Sequence, residues 1–133
     1  MPSIASLDWL GIVAGTVAAF LFGAVWYGAM GKLWLRAARI PPEDATMSPK
    51  LLAGTFALLL LIAAGLAIVL AAAAPAGGVV ASVTVALVVW LCLTAAPMTV
   101  NHRYQGFGWN LTLIDGLHWL GVLVIMAAVN VLV

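Results

Sequence analysis

Two ionisable side chains lie within an apolar stretch near the carboxyl end of the chain. Asp115 and His118 are three residues apart, so they share one face if the stretch is a helix. A carboxylate and an imidazole that titrates near neutral pH suit a proton relay, solute binding or a ligand contact. A charged carboxylate in a bilayer costs about 2.5–3.5 kcal/mol, so Asp115 should face the protein interior. Asn101, His102 and Arg103 precede this stretch and are placed to pair with it or line it.

A structural role for these side chains is the alternative. Asp115 would then pair with Arg103 or Lys32, and His118 would form a hydrogen bond between helices to hold them together. We weigh this structural role above a transport-type function, and a transport-type function above catalysis.

Other kinds of chemistry lack the residues that they need. Cys92 is the single cysteine, so the sequence predicts no internal disulfide, no dithiol redox pair and no cysteine-based zinc site. Two histidines without further ligands do not indicate a metal or haem site. No nucleophile with a neighbouring base and no carboxylate pair is evident. We therefore expect no metal, no cofactor and no enzymatic activity.

The composition of the chain indicates a membrane protein. The chain has 133 residues, of which 66% are hydrophobic and 7% are charged. In a typical soluble domain about 45–50% of the residues are hydrophobic and about 25% are charged. The net charge of +1 provides no general attraction for nucleic acid. Because too few polar side chains exist to coat a soluble fold, lipid must cover the surface.

Four apolar runs each reach the roughly 20 residues that a helix needs to cross the hydrocarbon core. They predict a single domain, residues 1–133, folded as an all-α membrane bundle of four transmembrane helices. Asp8 or Ser6 is placed to cap the first helix, and Ser48 to cap the second. The helices are expected at about 8–31, 49–74, 79–100 and 110–133, with a basic connection at 32–48.

The basic residues predict the orientation of the chain. All 5 lie in or directly beside the connections after the first and third helices, so the positive-inside rule places both connections in the cytoplasm and both termini outside. Lys32, Arg36 and Arg39 recur on one helical face and are placed to contact lipid headgroups. For these three residues we favour ordinary snorkelling over a dedicated binding site.

Small residues form a packing stripe along the first helix. Gly11, Gly15, Ala19 and Gly23 follow one another at i+4 steps, which lets helix backbones approach closely in lipid. The stripe is either an internal seam of the bundle or an interface between subunits, and the sequence leaves both open.

Two segments of the chain resemble a known family. The run 26–34, WYGAMGKLW, resembles the W-Y-G…G-K-x-W motif that ends the first helix in the DUF1761 family of small bacterial membrane proteins. Residues 101–103 and 113–119 are similar to the second block of that family. The resemblance implies four crossings of a bacterial inner membrane and no particular activity, since the family has none established. It also implies that the Trp26-Tyr27 pair belongs with the polar residues of the fourth helix. The candidate cluster is then Asp115, His118, Asn101, His102, Arg103, Trp26 and Tyr27.

Three functional classes follow from these observations. We favour a structural or accessory membrane protein, because the loops are short and the glycine stripe suits helix packing. The alternative is a minimal transporter or channel that works around Asp115 and His118. An enzyme acting on a hydrophobic substrate ranks last. The expected partners are membrane lipids and either further copies of the chain or a larger membrane complex, with no nucleic acid.

Overall fold

The structure, a computed structural model, describes residues 2–133 and contains four long helices. They are α1 (Trp9–Ala38), α2 (Pro49–Ala73), α3 (Val79–Tyr104) and α4 (Trp109–Leu132). Each helix is long and apolar enough to cross a membrane, and no strand occurs between residues 2 and 133. The predicted all-α class with four spanning helices is confirmed, whereas the orientation stays a prediction.

The local sequence explains where the first two helices begin. The Asp8 side chain accepts a hydrogen bond of 3.1 Å from the Gly11 N–H, and the Ser48 hydroxyl accepts one of 3.1 Å from the Leu51 N–H. Pro49 follows Ser48 at the first helical position, where the missing N–H has no intrahelical partner to lose. Both caps therefore lie where the sequence predicts them.

α1 and α3 run further than the sequence analysis expected. α1 continues past residue 31 to Ala38, so the first part of the predicted connection 32–48 is helical. α1 stops where Arg39 adopts a left-handed conformation with φ 59°. α3 continues past residue 100 to Tyr104. The first residue after α3 with a positive φ is Gly106, at 76°. Lys32 and Arg36 are thus held on α1 itself, and Arg39 follows directly after its last residue.

α3 contains a wider turn in the middle of its length. Residues Trp90–Ala95 form a π-helical turn, in which N–H groups bond to carbonyls five residues back. Pro97 follows closely and has no N–H to donate, so the regular i→i−4 pattern cannot continue through it. Within this turn the Trp90 indole N–H donates a hydrogen bond of 2.8 Å to the Gly116 carbonyl of α4.

α1 and α4 form the centre of the bundle as an antiparallel pair. α2 packs mainly on α1 and also on α4, α3 packs on α4, and α2 and α3 barely touch. α3 is the least covered helix, since 11% of its apolar window is buried within the protein against 39% for α4. The core lies mainly where α1, α2 and α4 meet, and it includes Ile12, Ala19, Leu59, Ala63, Leu66, Ala67, Val122, Leu123, Met126 and Ala127.

The close approach of α1 to α4 uses the predicted stripe of small residues. A Cβ atom at Gly15 would lie 3.5 Å from the Met126 Cα, and one at Gly11 would lie 3.4 Å from the Asn130 Cα. Ala19, the next member of the stripe, is fully buried. The stripe is therefore an internal seam of the bundle rather than an exposed interface between subunits. We refer to this contact between α1 and α4 as the seam.

Candidate functional site

A polar contact within the spanning helices joins α1 to α4. The Tyr27 hydroxyl donates a hydrogen bond of 2.7 Å to Asp115 Oδ1, across 88 residues of sequence. Both side chains are half-buried. At about 1.5 Å per residue, Asp115 lies roughly 9 Å along α4 from Trp109, which begins that helix. The contact implied by the family resemblance, between the Trp26-Tyr27 pair and α4, is thus present.

Asp115 has a neutral partner in place of the predicted cation. Arg103 or Lys32 was predicted from the sequence as its structural partner, and neither residue pairs with it. Arg103 donates instead to the Gly108 carbonyl at 3.1 Å and to the Thr112 hydroxyl at 2.9 Å. Lys32 is exposed on the part of α1 beyond Tyr27. Arg103 cannot pair with Asp115 because it lies at the end of α3, which contacts the first turn of α4. Asp115 lies further along α4.

His118 is held by aromatic rings rather than by the expected hydrogen bond between helices. Its ring stacks on Phe22 with a centroid distance of 5.9 Å and an interplanar angle of 7°, and it lies 4.8 Å from the Tyr27 ring. Its Nδ1 atom is buried without a hydrogen-bond partner among residues 2–133. Gly23 makes room for the ring, since a Cβ atom there would lie 3.1 Å from His118 Nε2.

Two tryptophans of α1 flank Tyr27. Trp26 donates its indole N–H to a carbonyl of α4 at 3.1 Å. Trp34 meets the Tyr27 ring edge-on at 5.8 Å, and its buried Nε1 has no partner in the described part of the chain. Buried polar atoms are usually satisfied by protein or by ordered water. Tyr27 thus contacts Trp34, Asp115 and His118, and we call these four residues the polar row.

A second polar group surrounds Thr112, one turn closer to the start of α4. His102 Nδ1 lies 2.9 Å from the Thr112 hydroxyl, to which Arg103 also donates at 2.9 Å. The Arg103 guanidinium lies over the Trp109 ring at 3.9 Å. Asn101 is exposed and has no side-chain contact with either group. The candidate cluster thus divides in two, with Trp26, Tyr27, Asp115 and His118 at the seam and His102 and Arg103 around Thr112.

The three basic residues predicted to contact headgroups have different surroundings. Lys32 and Arg36 are exposed, as a headgroup contact requires. Arg39 is exposed as well, but it also donates to the Gly106 carbonyl and lies 5.1 Å from the centre of the Phe107 ring. Because α1 ends before Arg39, this residue does not continue the helical face that Lys32 and Arg36 share. Its side chain instead joins α1 to the connection between α3 and α4.

Three residues of the site were not identified from the sequence. Thr112 lies three residues before Asp115, so its position on the same side of α4 was a usable signal. Trp34 follows Tyr27 by two helical turns and shares its face, which was a second signal. Phe22 gave none, because an aromatic residue within an apolar helix does not stand out.

The chemistry that the polar row offers is proton transfer and hydrogen bonding. A carboxyl group, a phenol and an imidazole lie side by side, with aromatic rings around them. Residues 2–133 hold no group of three or more His, Cys, Asp or Glu side chains that could bind a metal ion. The row therefore suits a proton, a water molecule or a small polar group.

A comparison with protein families matches residues 10–131 to a family described as a protein of unknown function, DUF1761. Neither the curated proteins nor the solved structures give a match. The family match covers nearly the whole chain, so the chain belongs to the DUF1761 family.

Proposed function

We propose that this DUF1761 protein is a minimal proton-coupled transport protein, in which the polar row takes up and releases a proton as a small solute crosses the membrane. Asp115 is the proton acceptor, Tyr27 positions it, and His118 is the second titratable group. The observation that supports this most directly is the 2.7 Å hydrogen bond from Tyr27 to a carboxylate that has no cationic partner.

The electrostatics of Asp115 favour this role. Ionisable residues in spanning helices are costly, usually pair with another charge, and commonly mark proton relays or substrate paths. The Tyr27 phenol satisfies one carboxylate oxygen without neutralising the charge. The carboxyl group thus keeps its capacity to bind a proton or a small cation.

Two polar atoms of the polar row without hydrogen-bond partners among the described residues mark a path along which water could reach Asp115. Trp34 Nε1 lies on the side of Tyr27 that leads to the basic end of the bundle, and His118 Nδ1 lies deeper. Each is a buried group that an ordered water molecule would stabilise. By the positive-inside rule the basic end faces the cytoplasm, so the row would open toward the cytoplasm.

The cellular setting is part of the same proposal. We place the protein in a bacterial inner membrane, with both termini outside, on the strength of its basic connections and the family resemblance. Because one chain carries a single polar row, passage across the whole membrane would need further copies of the chain or a larger membrane complex. The weakly covered α3 offers the surface for such contacts.

A structural or accessory role is the second candidate, and one observation favours it. The hydrogen bonds from Trp26 and Tyr27 both join α1 to α4, the two helices that the seam already brings together. In this role the cluster would fasten the bundle, and Asp115 would contribute to stability alone.

Proton flux into liposomes tests the proposal. Purified protein is reconstituted, a potassium diffusion potential is applied, and a pH-sensitive dye inside the vesicles reports proton entry. We expect flux above that of empty vesicles, loss of that flux in Asp115→Asn, and retention in Asp115→Glu. Asp44→Asn is the matched control, because Asp44 is exposed in the connection between α1 and α2.

Melting curves in detergent separate the two candidates. Proton-coupled transport predicts that Asp115→Asn loses flux while it melts within a few degrees of Asp115→Glu. A structural role predicts a lower melting temperature in Asp115→Asn and no flux that depends on Asp115. Wild-type flux equal to that of empty vesicles, or undiminished flux in Asp115→Asn, would overturn the transport proposal.

A further inference from the structure

The face of α4 turned away from the seam lines a long concave surface. Positions on this face recur at intervals of three and four residues, as one helical face requires. Its members include Trp109, Leu113, Gly116, Leu117, Leu120 and Val124. At about 1.5 Å per residue, the distance along α4 from Trp109 to Val124 is roughly 22 Å. That length exceeds half of a hydrocarbon core of about 30 Å.

Two concavities meet on this face and form one furrow. A cavity of about 180 Å³ lies beside the π-helical turn of α3, between Trp90 and Trp109. An open groove of about 540 Å³ continues from it toward the middle of the bundle, between Trp26 of α1 and Leu87 of α3. Leu117 lines both, so the two adjoin at that side chain. We call this surface the furrow.

The furrow is lined mainly by apolar side chains, with Thr99 and Thr112 in the cavity, and a basic residue lies beside one end. The Trp109 ring lines the cavity, and the Arg103 guanidinium lies over that ring at 3.9 Å. The hydrogen bonds that Arg103 makes come from its Nη2 atom, so its Nη1 donors have no protein partner among residues 2–133. The exposed side chains of Lys32 and Arg36 belong to the same basic end of the bundle.

The mainly apolar lining and the neighbouring guanidinium indicate which kind of ligand the furrow binds. An apolar channel inside a bilayer takes an acyl chain, and a guanidinium at the headgroup level takes a phosphate. A helix of another protein, about 10–12 Å across with its side chains, does not fit the cavity of about 180 Å³ that lies beside Trp109 and Arg103. We propose that the furrow binds one anionic membrane phospholipid, with an acyl chain along α4 and the headgroup phosphate at Arg103.

This lipid site is independent of the proposed transport function, because none of the four side chains of the polar row lines the furrow. Gly116 is the position at which the two sites can be separated. It lines the cavity, and a Cβ atom there would meet nothing within 4 Å, so a larger side chain would fill the cavity without striking the backbone.

Native mass spectrometry of the reconstituted protein tests the lipid site. The wild type, Gly116→Leu and Gly65→Leu are placed in vesicles of equal parts phosphatidylglycerol and phosphatidylcholine, and then released gently. Gly65 is the control, since it is exposed on α2 and also has nothing within 4 Å of its Cβ position. We expect the wild type and Gly65→Leu to retain one phosphatidylglycerol. Gly116→Leu should retain it about tenfold less, the effect of displacing roughly two methylene groups.

A second pair of variants tests the headgroup without filling the cavity. Arg103→Gln should lose the preference for phosphatidylglycerol over phosphatidylcholine, and Arg103→Lys should keep it. Equal retention of the two lipids by the wild type would overturn the proposal, as would equal lipid loss in Gly116→Leu and Gly65→Leu. A wild-type dimer that becomes monomeric in Gly116→Leu would overturn it in favour of a second copy of the chain.

Discussion

α4 presents two apolar faces that differ in how they are covered. On the face toward α1, Val122 is fully buried and the Met126 backbone approaches the Gly15 position to within 3.5 Å. On the face toward α3, Leu113 and Leu117 remain 59% and 45% exposed. Hydrophobicity alone does not distinguish the two faces. The neighbouring helix does, because α1 supplies glycines in register, whereas α3 has no glycine between residues 79 and 104 and buries only the small residues Ser82 and Ala86.

Two glycines of α4 show the same difference at the level of single atoms. Gly121 borders the open groove, but a Cβ atom there would point toward α1 and overlap the Phe22 ring, whereas one at Gly116 would meet nothing within 4 Å. In lipid no hydrophobic force drives helices together, so contact depends on complementary shape. Where the shapes match, the bundle has a seam. Where they do not, it has a furrow that a lipid can fill.

The largest expected effect comes from filling the seam. In Gly15→Leu the new side chain meets the Met126 backbone, which cannot move unless α1 and α4 separate. We expect a loss of about 3 kcal/mol in the free energy of unfolding, at the upper end for overpacking. Unfolding in mixed micelles measures it, with Gly65→Leu on α2 as the control that should change little. Equal stability of the two variants would mean that the seam is not close-packed.

A smaller effect is expected from adding one methyl group to each α4 glycine. Gly121→Ala pushes the Phe22 ring out of its stack on His118 and should cost about 1–2 kcal/mol. Gly116→Ala has free space and should gain up to about 1 kcal/mol, since alanine is the better helix former. The same unfolding measurement compares them. Similar changes in both variants would show that the two faces of α4 are equally covered.

The helices could be predicted from the sequence, but their pairing could not. Runs of apolar residues and the caps at Asp8 and Ser48 predict four spanning helices because the hydrocarbon thickness sets the length. A glycine stripe shows that a helix can pack closely without showing which partner it meets. The choice of α4 depends on residues such as Met126, which look like any other apolar residue in the sequence.

The candidate site was predicted only in part, for a related reason. Charge suggested Arg103 as the partner of Asp115, but the helix geometry brings Arg103 to Thr112 and Tyr27 to Asp115. The contact with the Trp26-Tyr27 pair was implied by the family resemblance and not by spacing, since hydrogen bonds between helices have no sequence period. The furrow left no signal either, because an uncovered helix face in lipid has the same composition as a covered one.

The smallest expected loss of stability concerns the hydrogen bond between Tyr27 and Asp115. Among residues 2–133 it is the one hydrogen bond between two side chains that joins α1 to α4. Tyr27→Phe removes the hydroxyl that donates to Asp115 and leaves a half-buried carboxylate without a side-chain partner. We expect a loss of about 1 kcal/mol, typical of one hydrogen bond. Tyr104→Phe is the same substitution at a residue that is 91% exposed, and it should leave stability unchanged. If Tyr27→Phe melts like Tyr104→Phe yet alters proton flux, the bond positions Asp115 for transport. If it lowers stability and leaves flux intact, the bond serves to fasten α1 to α4.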